Sequence, residues 1–119
     1  MTFLEIFEEM RRKDPGVTSG ALTGMDGLTV EEWRVPGDDR DLSALCAEAV
    51  QFFRESGRIA SENGLGEAEE VHLGGDLGQV FLRKVAAEYI LVIVTEPGTI
   101  PGKCRFLLRQ AARRTREML

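Results

Sequence analysis

The run Tyr89-Ile90-Leu91-Val92-Ile93-Val94 is apolar at every position. A strand with no polar face must be covered on both sides, so this run predicts a central place in a sheet that carries helices above and below. It is also far short of the ~20 apolar residues that cross a bilayer, so membrane insertion is not expected. The rest of the chain has to supply neighbouring strands and two layers of helix.

It does so in a simple order. Residues 2–13 place Phe3, Phe7 and Met10 at helical spacing, with Leu4 and Ile6 alongside, acids early and bases late, as the helix dipole prefers. Asp14-Pro15-Gly16 stops that helix. The stretch VTSGALTGM that follows is small and glycine-containing, which suits a strand closely approached by a helix. Asp26-Gly27 separates it from a second strand, LTVEEWRV, and Pro36-Gly37-Asp38-Asp39 reads as a loop. From Asp41, apolar residues recur at Leu42, Leu45, Cys46, Ala49, Phe52 and Phe53, an amphipathic helix of about five turns that ends in Glu62-Asn63-Gly64-Leu65-Gly66. EAEEVHL (67–73) alternates, GGDLG looks like a hairpin turn, and QVFLRKV is the return strand. After EPGTIPG, a last helix shows Cys104, Leu107, Leu108, Ala111, Thr115 and Met118 on one face and arginines mostly on the other. The expected order is α-β-β-α-β-β-β-α, within a single domain of residues 1–119.

A chain of 119 residues buries roughly 65% of its unfolded surface, enough for one real core. With 43% hydrophobic and 29% charged residues it reads as a soluble globular protein. Glu5, Glu8 and Glu9 interrupt the N-terminus, which therefore does not resemble a signal peptide, and the expectation is a cytoplasmic protein. Cys46 and Cys104 stand far apart beside a single histidine, so buried reduced thiols are expected rather than a metal site or a disulfide. The net charge of -5 is uneven, because residues 103–119 carry +5 and the remainder -10. That pattern argues against general nucleic-acid binding and leaves room for an acidic partner.

Each residue that hints at chemistry has a plainer reading. Asp26 has no histidine or lysine near it, and Asp-Gly between two strands is a strong hairpin turn. His72, the only histidine, lies between Val71 and Leu73 with no nucleophile motif, which favours a surface or edge-strand role. Gly74-Gly75-Asp76-Leu77-Gly78 lacks the lysine, the spacing and the following helix of a phosphate loop. Thr99 is expected to cap the last helix, whose free N–H groups are a possible anion site. Arg105, Arg109 and Arg113 form an i+4 row that is either a solvated face or a site for phosphates or an acidic partner. Trp33 fits core or interface equally. No catalytic residue, cofactor or metal is expected, since nothing assembles a nucleophile, a base and an orienting group.

The element order, together with Gly20-Ala21-Leu22 leading to Asp26-Gly27-Leu28, then Gly64-Leu65-Gly66, Tyr89-Ile90-Leu91-Val92-Ile93 and Gly102, resembles the Roadblock/dynein-light-chain family over residues 3–119. The resemblance implies an α+β, profilin-like fold, a five-stranded antiparallel sheet with the second helix on one face and the first and last on the other. It also implies a homodimer paired through the third strand, with Glu69, Val71 and Leu73 at the interface. MglB-like bacterial members bind small Ras-like GTPases and alter their nucleotide cycle without donating an arginine finger, while eukaryotic members are dynein light chains or scaffold subunits. By that likeness the chain is expected to be a non-enzymatic regulator or scaffold for a small GTPase, with Glu48, Gln51, Glu55 and Arg58 on the second helix as the partner surface. A purely structural adaptor is the alternative, and a small-molecule sensor a third reading, carried by the small residues of the first strand.

Overall fold

A computed structural model describes all of residues 1–119. The elements are α1 (Phe3–Lys13), β1 (Val17–Gly24), β2 (Thr29–Arg34), α2 (Leu42–Glu62), β3 (Glu70–Gly75), β4 (Gly78–Ala86), β5 (Tyr89–Thr95) and α3 (Pro101–Met118). The apolar run forms β5, the middle strand of an antiparallel sheet ordered β2-β1-β5-β4-β3. Successive side chains of a strand point to opposite faces. Ile90 and Val92 accordingly join Ala21, Cys46, Val50, Phe53 and Leu82 beneath α2, while Leu91 and Ile93 join Phe7, Met10, Trp33, Phe81 and Leu108 beneath α1 and α3. The expected layering is the one found. None of the helices is long and apolar enough to cross a membrane.

Local chemistry explains the element ends. Thr2 and Glu5 form a reciprocal capping box on α1. The Asp41 carboxylate accepts the Ala44 N–H at 3.0 Å and caps α2. The cap expected from Thr99 does not form. Ile100 occupies the N-cap of α3 with no side-chain bond, and Pro101 in the first turn has no N–H to satisfy. Thr99 instead packs its hydroxyl over Gly16, where a Cβ would come within 2.1 Å of it, and offers its carbonyl to the Gln79 amide at 2.8 Å.

Asp26-Gly27 is a turn, but not the two-residue kind. The Gly27 N–H reaches the Gly24 carbonyl at 2.9 Å, the Asp26 side chain accepts the Leu28 N–H at 3.0 Å, and only Gly27 adopts a positive φ, of 88°. Asp26 thus spends its carboxylate on the backbone, as an Asx turn does. Trp33 belongs to the core: it is 9% exposed and stacks on Phe7 with centroids 5.8 Å apart. Both cysteines are buried and free. Burial, with the Asp14 carboxylate that accepts from Cys104 Sγ at 3.4 Å, pushes that thiol up to about 12.

The third strand begins later than expected and runs further, from Glu70 to Gly75 rather than over 67–73. Gly74 and Gly75 are strand residues, with Gly75 opposite Gly78 across the two-residue turn Asp76-Leu77. The GGDLG motif is therefore part of a hairpin.

Candidate interaction surface

Strand β3 has one neighbour, so its other side is an unpaired edge. Which residues face outward follows from the ladder. Glu69 stands opposite Lys84 and its carbonyl accepts the Lys84 N–H at 3.0 Å, while Gly75 and Gly78 close the hairpin as the last opposed pair. In an antiparallel ladder bonded and non-bonded pairs alternate. Residues 69, 71, 73 and 75 thus bond to β4, and the backbone N–H and C=O groups of Glu70, His72 and Gly74 point away from the sheet. Glu69, Val71 and Leu73 lie at the edge in sequence but direct their backbone inward.

The side chains of Val71 and Leu73 project on the α2 side. Helix α2 packs over β1, β2 and β5, leaving this part of the sheet open. Leu73 is 55% exposed, and it lines a hollow of about 330 Å³ with Leu45, Leu77, Val80 and Val94. Leu45, Phe52 and Ile59 are seven residues apart, two helical turns each, and so form one flank of α2. Phe52 and Ile59 on that flank are 40% and 48% exposed. Exposed apolar flank, apolar strand face and free backbone edge are the kind of surface that associates with another chain.

Glu48, Gln51, Glu55 and Arg58 are exposed on α2. Glu48 and Glu55 follow Leu45 and Phe52 by three residues, so they border the apolar flank. Arg58 Nε meets Glu55 Oε2 at 3.0 Å and Arg58 Nη1 meets Glu62 at 2.6 Å, and the bond to Arg58 holds the Glu55 carboxyl below its ordinary range. Phe52 and Ile59 escape an argument that assigns apolar helix positions to one buried face. Their seven-residue spacing was the available clue.

On the opposite side of the edge, the half-buried Glu70 carboxylate meets Arg83 at 3.0 Å, Arg105, and Arg109 at 3.9 Å. Desolvation raises its pKa, but the hydrogen bonds and charges of Arg105 and Arg83 outweigh that and lower it. A depressed carboxylate stabilises the fold fully above its unfolded value of about 4.3, and the contribution disappears as pH falls through the lower folded value. Glu70→Gln should therefore lower the melting temperature at pH 7 and leave it nearly unchanged at pH 2, with equal losses at both pH values excluding this role. The His72 ring stacks on Phe81 at 4.2 Å, and its Nε2 lies 2.8 Å from Gln79 Oε1. Since the Gln79 amide nitrogen donates to Pro97 and Thr99, its oxygen accepts, and the proton of His72 sits on Nε2. His72 is engaged in holding the edge.

A second hollow, of about 220 Å³, opens under the end of α2 between Met25, Phe53, Gly57, Ala68, Ala86 and Ala87. It is below the roughly 300–1,000 Å³ of most ligand sites.

No protein-family model and no curated protein matches this sequence. Solved structures do. The gliding protein MglB of Thermus thermophilus aligns with a TM-score of 0.87 at 16% identity, over 98% of this chain and 87% of that one. A Roadblock/LC7 domain of Streptomyces avermitilis aligns at 0.86 and 14%, over 97% and 95%. MglC of Myxococcus xanthus aligns at 0.72 and 22% over the whole of both chains. At these identities the likeness establishes the fold, which is that of the Roadblock/LC7 and MglB structures.

Proposed function

We propose that this chain, one Roadblock-like domain over residues 1–119, works as a non-enzymatic homodimer that binds a small Ras-like GTPase in the cytoplasm and modulates its nucleotide cycle or anchors it. The observation that carries the reading is the free β3 edge beside an exposed apolar flank of α2. Two copies that pair their edges exchange bonds through Glu70, His72 and Gly74, cover Val71 and Leu73, and bring the flanks Leu45, Phe52 and Ile59 toward each other. The outer faces of the two α2 helices, with Glu48, Gln51, Glu55 and Arg58, then form one doubled surface for the partner. Fold likeness to the MglB structures supports a GTPase as that partner.

The experiment is to measure GTP hydrolysis and nucleotide release by the GTPase encoded nearest to this chain, with and without the protein. A change in either rate that is lost in Glu55→Arg/Arg58→Glu supports a regulator. Binding with both rates unchanged supports the adaptor, and the absence of binding overturns the GTPase reading.

A further inference from the structure

Helix α3 lies on the sheet face opposite α2 and turns a basic side to solvent. Arg105, Arg109 and Arg113 recur every four residues, a rise of about 6 Å per step. Arg105 and Arg109 keep 51% and 50% of their side chains exposed, although both reach toward Glu70. That single carboxylate is already shared with Arg83. Lys103 and Arg113 form no ion pair, whereas Arg114 is committed to Glu9 and Arg116 to the Val85 carbonyl. Beside the row, Phe106 is 56% exposed.

The fold uses only part of this row, since Arg105 and Arg109 share one carboxylate and Arg113 has none. Like charges at i, i+4 destabilise a helix, and an exposed phenylalanine forgoes burial. Both features are useful to a surface that is covered by something acidic with an apolar side. We infer that the outer face of α3, Arg105, Arg109 and Arg113 with Phe106, docks an acidic amphipathic helix of a partner protein. Carboxylates four residues apart on such a helix repeat at the same rise as the guanidinium row, and an aliphatic residue beside them covers the Phe106 ring. The charge balance selects a short protein segment over a polyanion: α3 carries +5, but the rest of the chain carries -10 and repels anything long and anionic that extends beyond the helix. The site is on the far side of the sheet from α2, so it can be filled while the β3 edge and α2 are engaged.

The probe is a stapled helical peptide of about 15 residues with glutamates at four-residue spacing and a leucine after each. Titrated into the full chain, it should bind saturably, shift backbone NMR resonances on α3, and weaken about 10-fold between about 50 and 300 mM salt. Arg113→Glu should weaken binding about 10-fold and Phe106→Ala about 5-fold, both with unchanged circular dichroism and melting temperature, since both residues are exposed and stand outside the Glu70 cluster. The same peptide with glutamine for glutamate should not bind. Absence of saturation by about 1 mM, shifts centred on α2 or β3, indifference to charge reversal, or tighter binding of duplex DNA or phosphatidylserine vesicles would overturn the proposal. Gly74→Pro, which removes an outward backbone donor from the β3 edge, should bind the peptide as the wild type does, which separates this site from the proposed dimer.

Discussion

Gly74→Pro is expected to convert the proposed homodimer into a folded monomer. The Gly74 N–H points out from the β3 edge, so replacing it with a ring removes an outward donor and places three carbons where a second strand would lie. The ladder to β4 is untouched, because it runs through residues 69, 71, 73 and 75. A Cβ at Gly74 meets only the His72 ring, at 3.9 Å, an ordinary contact. Two-fold symmetry doubles the defect. Two lost backbone bonds at about 1 kcal/mol each, together with the steric block, weaken dimerisation by about 100-fold or more. Light scattering should report the monomeric mass at micromolar concentration, with circular dichroism of the wild type. Phe52→Glu should act in the same direction from the side-chain layer, through the α2 flank, while leaving the edge itself intact. A Gly74→Pro protein that remains dimeric at low micromolar concentration would mean that the interface does not use this edge.

The parity behind that experiment was hidden in the sequence for a physical reason. In GGDLG the turn can sit in several places, and a slip of one residue exchanges inward for outward along the whole strand. Only the pairing of Gly75 with Gly78 decides that Gly74, and not Leu73, presents its N–H to solvent. EAEEVHL does not help, because acids at an edge strand are tolerated on either face. By contrast β5 was legible, since six apolar residues in succession leave a strand nowhere but the centre. The second helix was legible in part. Its core contacts Leu42, Cys46, Ala49 and Phe53 follow one stripe, but Leu45, Phe52 and Ile59 widen the apolar arc beyond what one sheet can cover. That excess width, not any chemical motif, marks the candidate surface. Thr99 misled because a hydroxyl before a helix ordinarily caps it. Pro101 removes one N–H from the first turn, and the hydroxyl is used for packing against Gly16.

The largest loss of stability should come from Gly20, where the first strand needs no side chain because a helix occupies the space. Gly20 stands opposite Trp33 on one side and Ile93 on the other. A Cβ there would lie 2.5 Å from Phe7 Cε1 and 3.1 Å from the Val92 carbonyl oxygen. Neither neighbour yields easily. The Phe7 ring is 1% exposed and clamped against Trp33, and the carbonyl belongs to the central strand. Relief therefore requires α1 to lift from the sheet, which also unseats Ile6 and Met10 from the core they share with α3. Gly20→Ala should cost about 2 kcal/mol and Gly20→Val about 4, as overpacking does when the surroundings cannot shift. For a domain of this size that is a fall in melting temperature of more than about 10 °C for the valine. The assignment to Phe7 is checked by a double-mutant cycle. Phe7→Leu is destabilising alone, but in the Gly20→Ala background it vacates the contested space, so the combined loss should fall short of the sum by about 1 kcal/mol. Strict additivity would place the clash elsewhere. A Gly20→Val protein within about 1 kcal/mol of wild type would show that α1 does not rest on this glycine.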